Sequence, residues 1–237
     1  MTIIHPEFCI HGVRIPLSAQ EVSPVIWKAL TSGRYEAKEA RLVPSVVRQG
    51  DRVLELGAGV GVITSIMART PGVTIWSYDA NPYTLDLARR VGQANGLNNV
   101  IFSHGLVTAG QPSSHPFYIR EDFWMSSLIK EQGPYREVIE TPSLDVDSLI
   151  SAHGINVLVM DIEGAEQQLL GASRLAGIDR VFLELHDHLY GLAGVQDVFQ
   201  SMLERDFSYD PRFSSGACVV FSRDLEAVII YSPDNDL

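Results

Sequence analysis

The chain has 237 residues, of which 46% are hydrophobic and 20% are charged, a balance that suits one α/β domain with a substantial core. Its formal net charge of -11 disfavours polyanions, so nucleic acid is not expected as a partner. No apolar stretch is long enough to span a bilayer, residues 1 to 7 lack the features of a signal peptide, and Cys9 and Cys218 are expected to be buried, reduced thiols. These features predict a cytoplasmic protein without a membrane partner.

The first 50 residues predict a small β-hairpin followed by two helices. Residues 7 to 17 fit the hairpin, with Gly12 near its turn, and the two helices are predicted from Pro24 to Leu30 and from Tyr35 to Arg48. Gly50 and Asp51 then mark the turn into the first strand of the main sheet.

A hydrophobic strand next runs into a glycine-rich turn. Residues 53 to 61 read V-L-E-L-G-A-G-V-G, and a helix is predicted from Val60 to Ala68. A Cβ atom in such a turn would keep the backbone away from a ligand, which explains glycine at three alternate positions, 57, 59 and 61. The strand over residues 73 to 78 ends at Asp79, whose carboxylate can accept hydrogen bonds from both hydroxyls of a ribose. The pattern predicts a βαβ unit that binds a nucleoside.

The residues around this turn distinguish between two nucleoside cofactors. A dinucleotide site would read G-x-G-x-x-G, whereas this turn reads G-x-G-x-G and follows Glu55. An acidic side chain there would repel a pyrophosphate and would suit a cationic amino group. S-adenosylmethionine (SAM) has an ammonium group and no phosphate, so the sequence predicts SAM rather than NAD.

Residues 105 to 142 interrupt the alternation of strands and helices. A helix from Pro82 to Asn95 and a strand over residues 98 to 103 precede this segment, which is rich in Gly, Pro and Ser. Residues 115 to 119 are predicted to form an extra strand. Because α/β folds place substrate contacts in loops at strand ends, we interpret residues 105 to 142 as an insertion on the acceptor side.

The alternation then resumes and ends in a different pattern. The predicted elements are a helix from Leu144 to Ala152, strands over 156 to 160 and 180 to 185, and helices over 164 to 171 and from Val195 to Arg205. Residues 217 to 221 and 227 to 231 are close enough in sequence for an antiparallel hairpin. A mostly parallel, seven-stranded sheet with helices on both faces and this hairpin is the plan of Rossmann-like class I SAM-dependent methyltransferases.

A group of acids follows the strand that ends at Met160. Residues 161 to 166 read D-I-E-G-A-E and would stand at the carboxyl edge of the sheet, where ligands bind. This segment resembles the hallmark of the FkbM family of SAM-dependent methyltransferases. The resemblance extends over about residues 30 to 190, including Y-D-A-N-P at 78 to 82, S-L-D-V-D-S-L at 143 to 149 and F-L-E-L-H at 182 to 186. Val159 stands where the family often has Lys.

The resemblance implies methyl transfer from SAM to an oxygen of a sugar or another small hydroxylated molecule. Asp161 and His186 end adjacent strands and are candidates for orienting the acceptor and removing its proton, and Glu163 and Glu184 for orienting the acceptor or the histidine. Residues 1 to 50 are expected to cover the cofactor site and residues 51 to 237 to form the methyltransferase domain. The expected cofactor-binding residues are Glu36, Glu55, Gly57, Ala58, Gly59, Gly61, Asp79, Ala80, Asn81, Gly105 and Asp161.

Several alternatives remain open at this point. The acceptor group could be a nitrogen or a carboxylate of a peptide or amino-acid derivative, or the chain could bind SAM without catalysis; Glu55 disfavours a dehydrogenase. Asp161 and Glu163 could cap a helix, and residues 186 to 188 could be a solvated loop. Asp161, Glu163 and His186 are also suitable metal ligands, but spacing alone does not bring them together, so no metal is predicted. A homo-oligomer is compatible with the sequence.

Overall fold

The computed structural model describes residues 8 to 223. Within them the strands are β1 (Phe8–Ile10), β2 (Val13–Ile15), β3 (Arg52–Leu56), β4 (Thr74–Asp79), β5 (Val100–His104), β6 (Leu106–Thr108), β7 (Ser114–Ile119), β8 (Glu137–Asp145), β9 (Val157–Met160), β10 (Arg180–Glu184), β11 (Ser208–Tyr209) and β12 (Cys218–Ser222). The helices are α1 (Pro24–Thr31), α2 (Ala37–Val46), α3 (Val62–Met67), α4 (Pro82–Ala94), α5 (Val146–His153), α6 (Glu166–Ala172) and α7 (Asp187–Leu203).

A seven-stranded sheet forms the centre of the protein, in the order β5-β4-β3-β9-β10-β12-β11. Its strands pair in parallel except for β12, which is antiparallel to both of its neighbours. All four residues of β9 are buried, as expected for a parallel strand with helices on both faces. Two apolar cores lie on the two sides of the sheet, one around Leu54, Leu158 and Leu183 and the other around Val53, Val157 and Phe182. The predicted sheet is confirmed.

The parallel arrangement directs β3, β4, β9 and β10 to one edge of the sheet, where the loops after them meet. Local signals place the helices behind these loops. Asn81 caps α4 by accepting hydrogen bonds from the backbone of Tyr83 and Thr84, and Pro82 occupies the first turn, where its missing N–H costs nothing. The loops at this edge therefore have fixed positions.

The hairpin and the two helices predicted before the sheet are present. Strands β1 and β2 pair as an antiparallel hairpin, and α1 and α2 follow within a few residues of their predicted bounds. The hairpin packs its apolar face, with Val13 and Ile15, against Val62 and Val91 of α3 and α4. Cys9 is exposed, so the expectation that both cysteines are buried holds only for Cys218.

Residues 105 to 142 contribute to a small second sheet, in the order β6-β8-β7. The extra strand predicted at 115 to 119 is confirmed as β7. The long strand β8 was not predicted, and it continues past Leu144, so that α5 begins two residues later with Asp145 as its cap. Arg120 is buried and organises the rest of the segment by donating hydrogen bonds to the carbonyl oxygens of Tyr118, Met125, Ile129 and Lys130.

The end of the described chain differs from the prediction in two ways. Strand β12 forms at the predicted place and lies between β10 and β11, antiparallel to both. Its second neighbour is thus β11, whereas the predicted partner, residues 227 to 231, lies outside the described residues. Helix α7 begins at Asp187 and not at Val195, with a break in helical geometry at Gly191. Along residues 8 to 223, no helix has the length and apolar character needed to cross a membrane.

Candidate functional site

The turn after β3 is closed by contacts that leave no room for side chains. A Cβ on Gly57 would lie 1.9 Å from the carbonyl oxygen of Asp161, and one on Gly59 would lie 2.6 Å from the hydroxyl of Tyr35. Gly61 packs on the backbone of Ala88 in α4, and all three glycines have positive φ values. Glycine is therefore required by the neighbouring elements at each of the three predicted positions.

Asp79 ends β4 and faces this turn. Its Oδ2 accepts a hydrogen bond from the backbone N–H of Gly59 at 3.2 Å, and its Oδ1 accepts one from Asn81 at 2.7 Å. Burial raises the pKa of Asp79 to about 7; the two backbone donors act against the shift, and the nearby charge of Asp161 adds to it. The carboxylate is thus held rigidly with lone pairs left for a ligand.

A cavity opens where Asp79, the turn and the loop after β9 meet. It encloses about 780 Å³ of space not filled by protein atoms, including its mouth. Of the predicted site residues, those that line it are Glu36, Gly57, Gly59, Asp79, Ala80, Asn81, Gly105, Asp161 and Glu163. Its apolar walls come largely from Leu106, Val107, Phe117, Phe123, Trp124 and Leu128. This combination of apolar walls and a few fixed polar groups is typical of a small-molecule site.

Three predicted cofactor-binding residues do not line this cavity. Ala58 and Gly61 lie behind it and pack against α4. Glu55 is buried within the sheet, where its carboxylate accepts hydrogen bonds from the hydroxyls of Thr64 and Ser77. Burial raises the pKa of Glu55 to about 7 against these two hydrogen bonds. Its contacts tie α3 to β4, so the structure places it behind the turn rather than beside the ligand space.

Residues 35 and 36 cover the turn from the N-terminal side. The ring of Tyr35 stacks on that of Trp124 with centroids 6.1 Å apart, which joins the segment before α2 to the insertion. Glu36 has a left-handed backbone (φ 49°), and its Oε2 is buried without a hydrogen-bond partner. Burial, followed by the charge of Asp161, raises the pKa of Glu36 well above its usual range. A buried acid with a free lone pair is suited to bind a cationic group of a ligand.

Three carboxylate side chains form a compact acidic cluster around His186. Its Nε2 lies 3.3 Å from Oδ1 of Asp161 and 3.7 Å from Oε2 of Glu163, and its Nδ1 lies 3.1 Å from Oε1 of Glu166. These distances suit ion pairs. The geometry at Nδ1 of His186 and at Oδ1 of Asp161 does not meet the angles of a hydrogen bond. His186 is only 4% exposed, so it is not part of a solvated loop. Asp161 and His186 were expected at the same edge of the sheet, and the structure brings Glu163 to them as well.

The charges in this cluster influence one another strongly. Burial alone would lower the pKa of His186, but its contacts with Asp161 and Glu166 raise that pKa to about 11. Burial and the charge of Asp161 raise the pKa of Glu163 to about 8. In the absence of any other cation, His186 is therefore an imidazolium at neutral pH and has no free lone pair to take a proton.

Neither Asp161 nor Glu163 caps the following helix. Ala165 occupies the cap position of α6 without a side-chain hydrogen bond. Glu166, which is fully buried, instead accepts hydrogen bonds from the backbone of Ile162 and Gly164. The carboxylates of Asp161 and Glu163 therefore remain directed toward the ligand spaces.

A second, more open cleft adjoins the cavity and encloses about 1350 Å³ of space, including its mouth. Glu184, the remaining predicted catalytic residue, lines this cleft and not the cavity. Burial and the charge of Asp161 raise its pKa to about 7. Nearby, the thiol of Cys218 donates a hydrogen bond to Oε1 of Glu39 at 2.8 Å. The cleft is lined by Ala29, Arg34, Tyr35, Glu36, Ala37, Lys38, Glu39, Trp124, Met125, Asp161, Glu163, Glu184, His186 and His188.

Sequence reasoning did not identify several residues of the site. Phe117, Phe123 and Trp124 belong to the insertion and form one wall of the cavity, and Glu166 supports His186 from behind. The aromatic residues at positions 117, 123 and 124 of the insertion were the one available signal for this wall. Glu166 belongs to the group of acids at residues 161 to 166, but its support of His186 had no signal, because only the fold turns its side chain toward the histidine.

The comparisons with known proteins agree with this geometry. The family model described as the methyltransferase FkbM domain matches residues 55–209, which include the glycine turn, Asp79 and the acidic cluster. No curated protein matches the sequence.

Solved structures resemble the chain at low sequence identity. M. jannaschii TYW2 in complex with AdoMet has a TM-score of 0.50 and 10% identity, with 92% of this chain and 85% of that chain covered. Trm5b from Pyrococcus abyssi has a TM-score of 0.49 and 14% identity, and 94% of this chain matches only 56% of that longer chain. The chain thus spans little more than half the length of that relative.

The family match extends over more than half of the 237 residues and contains the parts from which the cavity is built. The matched family is one of methyltransferases, and the matched residues include the glycine turn and the carboxylate at the end of β4. The chain therefore belongs to the FkbM methyltransferase domain family and is a SAM-dependent methyltransferase.

Proposed function

We propose that this methyltransferase transfers the methyl group of SAM to a hydroxyl oxygen of a small molecule. One observation carries the proposal: the cavity and the cleft share the walls formed by Tyr35, Glu36, Trp124, Asp161 and Glu163. A cofactor in the cavity and an acceptor in the cleft would therefore meet at the acidic cluster, which is the arrangement that direct methyl transfer needs.

The polar groups of the cavity match the parts of SAM. Asp79 would accept hydrogen bonds from the ribose hydroxyls, since its own donors fix it beside the glycine turn. The adenine would lie near Gly105, Leu106 and Val107, where the wall is apolar. The unpaired Oε2 of Glu36 is suited to the ammonium group.

The charge of the cleft favours a hydroxyl over the other acceptor groups. Five carboxyl groups line it, from Glu36, Glu39, Asp161, Glu163 and Glu184. So many acids stabilise an amine in its ammonium form, which has no lone pair for attack, and they repel a carboxylate. A neutral hydroxyl meets neither obstacle and finds acceptors for its hydrogen bond and its proton.

The reaction then balances as a single displacement. The acceptor oxygen forms a bond to the methyl carbon, the carbon–sulfur bond breaks with its electron pair going to sulfur, and S-adenosylhomocysteine remains. The proton of the hydroxyl passes to a carboxylate of the cleft. Because His186 is surrounded by acids, its role would be to orient Asp161 and Glu163 rather than to remove that proton.

The surroundings of the site support a small acceptor. A net charge of -11 disfavours nucleic acid as the acceptor. The two free cysteines support a reducing, cytoplasmic location.

The test is an activity screen with the purified protein, SAM and three acceptor panels: hydroxylated metabolites including sugars, primary amines, and carboxylic acids. We expect S-adenosylhomocysteine and an O-methyl product, identified by mass spectrometry and NMR, from the hydroxylated panel. Asp161→Asn serves as the matched inactive variant and should lower the rate roughly 10²–10⁴-fold. Turnover confined to the amines or the acids would disprove O-methylation while leaving the use of SAM intact.

A further inference from the structure

The donor atoms of Asp161, Glu163 and His186 converge on one point of the wall between the cavity and the cleft. One ligand-type atom of each residue lies within 4.8 Å of those of the other two. The Nε2 atom of His186 is 3.3 Å from Asp161 and 3.7 Å from Glu163. Neighbouring ligands of a small divalent cation, with bonds of ~2.1 Å, lie about 3 Å apart. A slight closing of the three side chains would place all of them around one ion.

His186 is supported in the way a metal-bound histidine usually is. The side chain of His186 is 5% exposed, and its Nδ1 faces the carboxylate of Glu166 at 3.1 Å. Glu166 is itself fully buried and is fixed by the backbone N–H groups of Ile162 and Gly164. A carboxylate on the second ring nitrogen orients the imidazole, so Nε2 points at Asp161 and Glu163.

The polar groups at this point also lack the partners that buried carboxylates normally have. Oδ1 of Asp161 is buried without a hydrogen-bond partner. Over residues 8 to 223, the carboxylates of Asp161, Glu163 and Glu166 form ion pairs with His186 and with no Lys or Arg side chain. The side chain of Glu166 is fully buried, and those of Glu163 and Asp161 are 19% and 38% exposed. Three carboxylates held so close together are costly unless sufficient positive charge balances them. A bound cation would supply that charge.

We propose that Asp161, Glu163 and His186 bind one divalent metal ion of the Mg²⁺ and Mn²⁺ class. Both ions prefer carboxylate oxygens as ligands. The imidazole nitrogen suits Mn²⁺ better than Mg²⁺, so we expect Mn²⁺ to bind more tightly. Glu166 acts as a positioning residue through His186 and does not touch the ion.

The role of the ion in catalysis rests on the proposed function. The hydroxyl oxygen of the acceptor would bind the ion from the cleft, which makes its proton more acidic and fixes the oxygen opposite the sulfonium. The proton would then pass to Glu184, a carboxylate that lines the cleft and is not a ligand of the ion. The new carbon–oxygen bond forms as the carbon–sulfur bond breaks toward sulfur.

The experiment measures Mn²⁺ binding to chelator-treated protein without SAM, by calorimetry and by electron paramagnetic resonance. Glu163→Gln removes a ligand, Glu166→Gln removes the support of His186, and Glu39→Gln changes a carboxyl of the neighbouring Glu39, Glu184 and Cys218 group. We expect one Mn²⁺ per wild-type chain. Glu163→Gln should weaken binding at least tenfold and Glu166→Gln by about 10–100-fold, whereas Glu39→Gln should bind as the wild type does.

Circular dichroism would show that each variant is folded, and Asp161→Asn would replace Glu163→Gln if that variant were not. The absence of saturable Mn²⁺ binding, or equal binding by all variants, would overturn the proposal and leave His186 as the cation of the cluster. Loss of binding in Glu39→Gln alone would move the ion to the neighbouring group and would equally overturn it. Failure of O-methylation with Mn²⁺ binding intact would disprove the proposed function but not the metal site.

Discussion

Asp79 shows how the environment of a single residue sets its function. The backbone N–H groups of Gly59 in the turn and of Asn81, the cap of α4, hold its carboxylate. Burial and the charge of Asp161 disfavour its ionised form. The balance of these effects puts its pKa at about 7, within the range of ordinary assay conditions. Asp79, which we propose binds the ribose, is therefore only partly ionised at neutral pH.

We predict that SAM affinity increases with pH between 6 and 8. Asp79 accepts hydrogen bonds from both ribose hydroxyls only when it is ionised, and the protonated form below its pKa of about 7 loses part of this capacity. The dissociation constant should fall by about tenfold over the two pH units. Titration calorimetry at pH 6, 7 and 8 measures it.

The matched variant is Asp79→Asn. It keeps the size of the side chain and removes its charge, so it should bind SAM about 1.5–3 kcal/mol more weakly at pH 8 for each charge-assisted hydrogen bond lost. Its affinity should also be nearly independent of pH. A variant with the same pH dependence as the wild type would show that another acid with a raised pKa, such as Glu36, controls binding.

The sequence identified site residues well where a strand end determines their position. Asp79, Asp161 and His186 follow apolar strands, and parallel strands bring their ends to one edge. Glu55 precedes the turn inside a strand, and its side chain points into the sheet toward Ser77 and Thr64. No sequence pattern revealed that direction, because the residues on both faces of a buried parallel strand are alike.

At the scale of elements, the segment before the sheet is attached to α4 by polar contacts. The guanidinium group of Arg90 pairs with Glu21 and donates a hydrogen bond to the carbonyl oxygen of Pro16 at 2.9 Å. The side chain of Asn95 accepts a hydrogen bond from the backbone of Arg14 and donates one to it. These contacts hold the residues that lead to Tyr35 and Glu36 in place.

We predict that the contact between Glu21 and Arg90 stabilises the protein in a pH-dependent way. Burial would raise the pKa of Glu21, but hydrogen bonds from Arg90 and Ser18 lower it from 4.5 to about 2. The folded-state pKa is depressed, so this stabilisation is complete above pH 4.5 and is lost as the pH falls from 4.5 toward 2. Glu21→Gln should therefore lose roughly 1–3 kcal/mol at pH 6, and this difference should shrink in acid.

Urea unfolding at pH 6 and pH 3 would measure this difference. Glu121→Gln is the control, because Glu121 forms an ion pair with Arg136 in which both side chains are 66% exposed. Such exposed pairs contribute little, so this variant should unfold like the wild type. An equal effect of both substitutions would show that general charge, and not the contact with α4, determines the acid sensitivity.

The elements with strong apolar patterns were predicted within a few residues, and those without such patterns were not. Strand β8 contains exposed and polar residues, among them Glu137, Glu140 and Pro142, and pairs with β6 and β7 in a small sheet. Its strand conformation depends on partners that the local sequence does not specify. The start of α7 was missed because Gly191 and Gly194 weaken the helical pattern there.

At the scale of the molecule, a buried ion pair lies at the edge of the sheet opposite to the candidate site. Asp51 and Arg180 stand just before β3 and at the start of β10, away from the strand ends that form the site. Their side chains are 5% and 7% exposed and form a salt bridge of 2.8 Å. Asn156 donates a further hydrogen bond to Asp51, and Arg180 donates one to the carbonyl oxygen of Val46.

We predict that Asp51→Ala destabilises the protein by about 3–5 kcal/mol, because it leaves the guanidinium group of Arg180 buried without its partner. The SAM affinity of the folded protein should not change. Urea unfolding and calorimetry at a temperature where the variant is folded measure the two quantities.

The double variant Asp51→Ala with Arg180→Met tests the reason for this loss. It removes both charges, so it should recover part of the lost stability. A fall in SAM affinity that accompanies the fall in stability would contradict the separation of the two edges.

The wall that the cavity and the cleft share has a consequence for protein engineering. Tyr35 and Trp124 stack on each other and line both spaces, so a substitution that reshapes the cleft at these positions also changes the fit of SAM. Arg34, Lys38, Met125 and His188 line the cleft but not the cavity. A library that aims at new acceptors should vary these four positions and leave the aromatic pair intact, so that acceptor range is altered without loss of the methyl donor.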